Sequence, residues 1–225
     1  MRTITKEMRD SLTPLQALEL LKEGNKRFMN NLKVNRNLLQ QVNETAAGQY
    51  PFAFILSCID SRTSAELIFD QGLGDIFSCR IAGNILNDDI LGSMEFACKI
   101  AGTKVIIVLG HTRCGAIKGA CEGVKMGHLT GLLEKIQSVA ANEQHAANNS
   151  SGDSQFVDYV AKLNIKHVMN EIPKRSSIIS DMLQTGDIVI AGGLYEVETG
   201  HVQFFEREII ASVPMEVSIP MPMQA

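Results

Sequence analysis

Two short stretches of the sequence place metal-binding and charged side chains close together. In the first, Cys58, Asp60 and Arg62 fall within five residues, directly after an apolar run. In the second, His111 and Cys114 stand three residues apart after another apolar run. Zinc prefers thiolate and imidazole ligands, and a site with three protein ligands keeps a fourth position for water. The sequence therefore predicts a zinc site built from Cys58, His111 and Cys114.

The charge of such a site affects the acidity of the water that it holds. A zinc dication with two thiolates and one neutral imidazole sums to zero, whereas zinc on three imidazoles keeps its full charge. Water on tri-imidazole zinc has a pKa of about 7. Water on the predicted site should ionise less readily, so we expect an activity that rises towards alkaline pH.

Asp60 stands two residues after a predicted ligand and has two options. Its carboxylate can enter the fourth position on the metal, or it can accept a hydrogen bond from the bound hydroxide. A guanidinium paired bidentately with the carboxylate holds it away from the metal and keeps it ionised. We therefore expect Arg62 to pair with Asp60 and to keep the site open.

The two stretches follow the strands that must position them. Residues 51–57 and 104–110 are apolar and typical of buried strands, and 76–81 is a third candidate. Open α/β sheets bind their ligands at the carboxyl ends of parallel strands. If the strands before Cys58 and His111 are neighbours, their ends lie about 4.8 Å apart, which is close enough to share one ion.

Strands alternate with helical segments along the chain, and two further strands, 187–194 and 202–205, flank a turn signal. This order predicts an α/β fold, with a mainly parallel sheet of about four parallel strands plus an antiparallel edge strand, covered by helices. We expect a single domain over residues 1–225, with an N-terminal helical arm at 1–48 and a zinc-binding core at 50–210.

The segments outside the strands are less uniform. Residues 14–30 carry apolar side chains at helical spacing after Thr13 and Pro14, which favours an amphipathic helix that starts at this point. Residues 32–49 are polar and weakly periodic, so they predict a second helix that packs outside the core. Residues 127–153 are also polar, and within them we interpret 142–152 as a surface loop between helices.

The composition describes an ordinary globular protein and excludes several classes of partner. The chain has 225 residues, 45% of them hydrophobic, and a formal charge of −4 without a basic cluster. That balance argues against nucleic acid and anionic membranes as partners. The first residues lack the apolar centre of a secretory signal, and five irregularly spaced cysteines argue against a disulfide framework. We expect a cytoplasmic protein.

Several motifs together resemble the β-class carbonic anhydrases. They are the Cys-x-Asp-Ser-Arg motif at 58–62, Arg-Ile-Ala-Gly-Asn at 80–84 and His-x-x-Cys-Gly at 111–115. The sequence at 66–75 is also similar to that of the family. The likeness covers roughly residues 14–210, which makes it far more specific than any one motif.

The resemblance implies an activity, a cofactor and an assembly. The activity is carbonate dehydratase: zinc-bound hydroxide reversibly hydrates CO₂ to bicarbonate and a proton, with one Zn²⁺ per subunit and an Asp60–Arg62 dyad. The metal ligands are Cys58, His111 and Cys114. The family forms homodimers and homotetramers whose clefts lie at the subunit interface, with the helical arm embracing the neighbour.

The resemblance also implies a substrate pocket. Gln49 is expected to donate a hydrogen bond near the substrate, and Phe77 to form an apolar wall. Phe96 stands where the plant-like branch often has Tyr, so a polar role is not expected there. Gly83 and Asn84 belong to the loop that supports the pocket.

One branch of the family closes its site at low pH by placing the aspartate on zinc, and it uses a tryptophan before the cysteine ligand. This chain has no tryptophan, and Ile55 stands at the matching place. The open form, with Asp60 on Arg62, is therefore favoured.

Less specific interpretations remain for the same residues. The predicted ligands could form a closed structural zinc site or be buried thiols, although structural sites usually present four ligands in close pairs. The fold could also serve a zinc hydrolase of CS₂ or COS, or a non-catalytic zinc protein. The remaining cysteines are interpreted as packing residues and the remaining histidines as solvated side chains: Cys79, Cys98 and Cys121, and His128, His145, His167 and His201.

Overall fold

The computed structural model describes residues 3–147 and 153–211, and the side chains of 142–147 lie outside this description. Within these residues the chain forms five strands: β1 (Ala53–Ser57), β2 (Ile76–Arg80), β3 (Val105–His111), β4 (Val189–Tyr195) and β5 (Val202–Phe204). The α-helices are α1 (Lys6–Ser11), α2 (Pro14–Met29), α3 (Leu38–Thr45), α4 (Ala65–Ile68), α5 (Asp88–Glu95), α6 (Gly115–Cys121), α7 (Gly127–Ala147), α8 (Ser154–Arg175) and α9 (Ser177–Gln184). Short 3₁₀ turns cover Ala82–Asn84 and Glu206–Glu208, and a π-helical turn covers Phe96–Ile100.

The five strands form one mixed sheet in the order β2-β1-β3-β4-β5. The first four strands are parallel, and β5 pairs antiparallel with β4 at the edge. Strands β1, β3 and β4 are buried along their whole length, because helices cover both faces of the sheet. The predicted fold class is confirmed.

The central pair of strands brings the two chemical stretches together. Strand β1 is hydrogen-bonded to β3, with Ser57 opposite Leu109. Cys58 follows the end of β1, and His111 is the last residue of β3. The two stretches therefore meet at the carboxyl edge of the sheet, where parallel sheets bind ligands.

The helical segment at the N-terminus packs partly on its own sheet. A capping box between Thr13 and Gln16, with Pro14 in the first turn, starts helix α2. Its residues Ala17 and Leu21 are fully buried against the sheet. Helices α5 to α9 contribute to the core on the opposite face.

Two of the predicted segments differ from the structure. The second helix is confined to Leu38–Thr45, within the expected 32–49. The expected loop at 142–152 is wrong over residues 142–147, because these residues belong to the helix α7, Gly127–Ala147. Its buried residues Leu133 and Ile136 pack in the core. Residues 148–152 of the expected loop lie outside the described residues.

A buried ion-pair cluster fixes the connection between α2 and α3. Asp70 is 4% exposed, receives a hydrogen bond of 2.6 Å from Arg27 Nε, and pairs with Arg36. The backbone N–H of Val34 donates to the same carboxylate over 3.2 Å. Burial alone raises the pKa of Asp70, but the hydrogen bonds from Arg27 and Arg36 bring it below the ordinary value.

Asp70→Asn is expected to lower the free energy of unfolding by about 3 kcal/mol at pH 7, because it removes the buried anion that pairs with the half-buried Arg36. Urea denaturation measures this, with the exposed Asp181→Asn as control. Since the folded pKa of Asp70 is depressed, the stabilisation is present above the unfolded pKa of about 3.9 and is lost as the pH falls through the folded value. Equal unfolding midpoints for both variants at pH 7 would contradict the role of this cluster.

Candidate metal centre

Three buried donor atoms converge at the carboxyl edge of the sheet. The two Sγ atoms of Cys58 and Cys114 and a ring nitrogen of His111 all lie within 4.8 Å of one another. Cys114 is the N-cap residue of α6, directly after the turn that follows β3. The strand ends therefore supply two of the donors, and the turn into α6 supplies the third.

The protonation of His111 is set by its own turn. Its Nδ1 lies 2.9 Å from the carbonyl oxygen of Thr112, which can only accept, so Nδ1 carries the proton. In the neutral ring Nε2 is then left with a free lone pair. This atom is buried and has no hydrogen-bond partner among the described residues. Such an orphaned nitrogen is what a metal ligand presents before the ion binds.

The two cysteines interact directly through their sulfur atoms. Cys58 Sγ and Cys114 Sγ are 4.0 Å apart, too far for a disulfide bond of about 2.05 Å. Tetrahedral zinc with bonds of about 2.3 Å separates two sulfur ligands by about 3.8 Å. The contact with Cys114 lowers the pKa of Cys58, and the same contact raises the pKa of Cys114. The two thiols are therefore coupled, and without a metal the pair favours one thiolate over two.

The donor set fits a zinc ion. Two sulfur atoms stand near the separation that zinc requires, and the orphaned Nε2 of His111 faces the same point. Three protein ligands leave a fourth position for water, which is the pattern of a catalytic site and not of a closed structural one.

The carboxylate of Asp60 is paired with Arg62 in the structure. Arg62 donates from Nε over 2.9 Å, from the terminal guanidinium nitrogen over 2.8 Å, and from its backbone N–H over 3.0 Å. These hydrogen bonds hold the pKa of Asp60 far below its usual range, although burial opposes them. Asp60 Oδ2 is also 4.0 Å from Nε2 of His111. The ionised carboxylate thus lies beside the donor set while the guanidinium holds it.

Two further residues brace the loop between Cys58 and Asp60. Arg80 Nε donates to the carbonyl oxygen of Cys58 over 2.9 Å, and its terminal nitrogen donates to that of Asp60 over 2.5 Å. The hydroxyl of the buried Thr63 lies 3.0 Å and 2.9 Å from the same two oxygens. The sequence offered one signal for this brace, since Arg80 opens one of the family motifs, but none for Thr63.

The predicted pocket residues are placed in three different surroundings. Gln49 lines a cavity of about 550 Å³ beside α3. Phe77 and Phe96 line a second cavity of about 580 Å³, with their ring centroids 6.4 Å apart. Gly83 donates its N–H to Cys58 Sγ over 3.4 Å, and the Nδ2 atom of the buried Asn84 has no partner among the described residues. Gln49 and the two phenylalanines thus line separate cavities.

The other cysteines and histidines stand apart from this centre. Burial raises the pKa of Cys98 to about 12 and of Cys121 to about 11, as expected for packing thiols. Cys79 is half-buried in the edge strand β2. The side chains of His128, His167 and His201 are exposed, and His145 lies outside the described side chains.

The fold and the donor set together define the class of protein. A buried site of two thiols and one imidazole, with an ion-paired carboxylate beside it, lies at the carboxyl edge of a mainly parallel sheet. This arrangement is that of a zinc enzyme that activates water. No helix in the described part of the chain is long and apolar enough to cross a membrane.

Comparison with known proteins identifies the family. The carbonic anhydrase family model matches residues 53–202. The chain is 35% identical over 209 residues to carbonic anhydrase 2 of Mycobacterium tuberculosis H37Rv, which covers 91% of this chain and 98% of the relative. The β-carbonic anhydrase CafA of Aspergillus fumigatus is similar in structure, with a TM-score of 0.66, 26% identity, and coverage of 84% of this chain and 89% of CafA.

A second solved structure has the same fold. It is one of the β-carbonic anhydrases of Sordaria macrospora, with a TM-score of 0.69, 21% identity, and coverage of 81% of this chain and 90% of that one. The chain belongs to the carbonic anhydrase family, in its β class. It is a zinc-dependent lyase that catalyses the reversible hydration of CO₂ to bicarbonate.

Proposed function

We propose that Cys58, His111 and Cys114 hold the zinc ion and that Asp60 orients the attacking oxygen while Arg62 keeps the carboxylate off the metal. The observation that carries this proposal is the position of Asp60. It is paired bidentately with Arg62 and still lies 4.0 Å from the metal-facing nitrogen of His111. A carboxylate so placed can accept a hydrogen bond without becoming a ligand.

Residues of the chain orient the attacking oxygen and hold the loop that carries Asp60. When bound, zinc would lower the pKa of a water molecule, and the deprotonated water would then be a nucleophile towards CO₂. Asp60, kept ionised by Arg62, accepts the O–H of the attacking oxygen and so directs a lone pair towards the carbon of CO₂. Arg80 and Thr63 hold the loop that carries Asp60, which limits the geometries that its carboxylate can adopt.

We also propose that the substrate pocket is completed between two subunits. Gln49 as hydrogen-bond donor and Phe77 with Phe96 as apolar wall line separate cavities within one chain. A second copy that contributes one of these surfaces would place them in one cleft. Gly83 and Asn84 would support that cleft from the loop beside Cys58.

The exposed apolar side chains of α3 support a homodimer or homotetramer. Leu38, Leu39 and Val42 are 57%, 71% and 49% exposed, which is unusual for three apolar side chains of one short helix. The Sordaria macrospora proteins are described as tetrameric. In this proposal residues 1–48 form the arm that contacts the neighbour, and residues 50–210 form the core of a single domain.

Sedimentation velocity tests the assembly, and a dimer or tetramer is expected. Leu39→Asp should shift the wild-type species towards monomer, because it places a charge in an apolar contact. Met126→Asp is the matched control, since Met126 is 66% exposed and lies outside the arm. A wild-type protein that sediments as a monomer at micromolar concentration would overturn the proposal.

We further propose a cytoplasmic location. Cys58 and Cys114 must stay reduced to bind metal, and the cytosol maintains reduced thiols. Fractionation of the source cells tests this, and recovery in an extracytoplasmic fraction would contradict it.

Stopped-flow measurement of CO₂ hydration by the zinc-loaded protein tests the reaction itself. We expect a rate well above that of buffer at pH 8.5. No rate above buffer would exclude the proposed mechanism, and turnover of CS₂ or COS alone would assign the site to another substrate.

A further inference from the structure

Helix α8 contacts the loop on which Cys58 depends. Asn164, which is 1% exposed, donates from Nδ2 to the carbonyl oxygen of Gly83 over 2.9 Å. The N–H of Gly83 in turn donates to Cys58 Sγ over 3.4 Å. Gly83 has a φ of 67°, and a Cβ there would lie 2.6 Å from Ile136. The direction of this N–H therefore depends on a backbone conformation that the amide of Asn164 helps to fix.

The same helix contacts the turn that carries Cys114. The Oδ1 atom of Asp158 accepts the backbone N–H of Arg113 over 2.7 Å. Arg113 has a φ of 56°, which is unusual for a residue other than glycine. Its guanidinium pairs with Glu198, so the turn is held from two sides. Because Arg113 directly precedes Cys114, this hydrogen bond helps to fix the backbone position of Cys114 and therefore the position of its thiol.

Helix α8 is itself seated firmly on the sheet. A Cβ on Gly110 of β3 would lie 2.7 Å from the side chain of Ile165, and a Cβ on Gly192 of β4 would lie 2.5 Å from that of Met169. The absence of these two side chains lets the helix approach the strands closely. A helix packed this closely on the sheet can hold the loops that contain Gly83 and Arg113 in fixed positions.

We infer that Asn164 and Asp158 are positioning residues that set the separation and the electronic character of the two thiolates from outside the metal shell. Asn164 acts on Cys58 through the backbone of Gly83, whose C=O it binds and whose N–H contacts Cys58 Sγ. Asp158 acts on Cys114 through the backbone conformation of Arg113, whose N–H it accepts. Outer contacts of this kind orient ligands and tune the metal. The inference rests on the ligand set proposed above.

The test measures the metal site directly and not only turnover. Asn164→Ala and Asp158→Ala are each expected to lower zinc affinity about 10–100-fold in competition with a chromophoric chelator. In the cobalt-substituted protein both variants should shift the sulfur-to-metal charge-transfer band. Asp158→Asn keeps an acceptor oxygen, so it should retain the wild-type affinity and spectrum. A merely structural role would lower the thermal midpoint and leave the cobalt spectrum unchanged.

The controls separate the possible failures. Asn170→Ala changes an exposed residue of the same helix and should bind zinc as the wild type does. If Asn164→Ala and Asp158→Ala match this control while Cys58→Ser loses zinc, the positioning role is wrong and the ligand set stands. If Cys58→Ser also retains zinc, the ligand set itself is wrong. Because Asp158 is half-buried, its variants provide the result even if Asn164→Ala is too unstable to purify.

Discussion

Cys58→Ser is expected to lose its zinc. The substitution removes one of two sulfur donors that stand 4.0 Å apart, and a hydroxyl is a far poorer zinc ligand than a thiolate. Loss of an outer partner costs about 10–100-fold in affinity, so removal of a ligand should cost more than about 100-fold. Elemental analysis after dialysis against a weak chelator, with chelator competition for the affinity, measures the effect.

Cys98→Ser is the matched control for this experiment. Cys98 is as buried as Cys58 but lies outside the three-donor cluster. It should keep one zinc ion per subunit. A Cys58→Ser protein that holds zinc as tightly as the Cys98→Ser protein would exclude Cys58 as a ligand.

Asp60→Asn is expected to keep zinc and lose about 10²-fold in kcat. An asparagine side chain has nearly the same shape, but it can no longer form the charged bidentate pair with Arg62. It also presents a weaker acceptor to the attacking oxygen. Stopped-flow kinetics and metal analysis on one preparation measure both quantities together.

The zinc content of Asp60→Asn, compared with that of Cys58→Ser, shows whether Asp60 is itself a metal ligand. If Asp60→Asn loses zinc as completely as Cys58→Ser, then Asp60 is a ligand and the open site is wrong. Asp181→Asn, which changes an exposed carboxylate on α9, should leave both zinc content and kcat at the wild-type level.

The strands and the convergence of the donors could be predicted from sequence because they depend on local and regular features. Fully apolar runs such as Val105–His111 are typical of buried parallel strands, and their polar ends must lie at one edge of the sheet. If β1 and β3 are neighbours, Cys58 and His111 must lie close together, and this prediction requires no information about the helices. The resemblance to a known family then assigned chemistry to these positions.

Helix α7 continues to Ala147, so its last six residues fall within 142–152, where the mostly polar sequence predicts a loop. Its apolar side chains nevertheless repeat at helical spacing, with Leu129, Leu132, Leu133, Ile136 and Ala140 packed in or against the core. A count of that periodicity would have favoured a helix over Gly127–Ala147. Composition alone does not distinguish a solvated helix face from a loop.

The contacts that hold the site could not be predicted in the same way. Asn164 and Gly83 are 81 residues apart, and Arg113 and Asp158 are 45 apart. No local pattern indicates which polar residue of a long helix will reach a particular carbonyl oxygen or N–H group. Such contacts depend on how closely α8 packs on the sheet, which only the three-dimensional structure defines.

In the proposed site Arg62 holds Asp60 away from the metal. A crystal structure of the zinc-loaded protein near neutral pH would show the position of this carboxylate. We expect Asp60 to keep both side-chain hydrogen bonds to Arg62, with zinc bound by Cys58, His111 and Cys114 and a solvent molecule in the fourth position. An oxygen of Asp60 bound to zinc in that position would contradict this expectation.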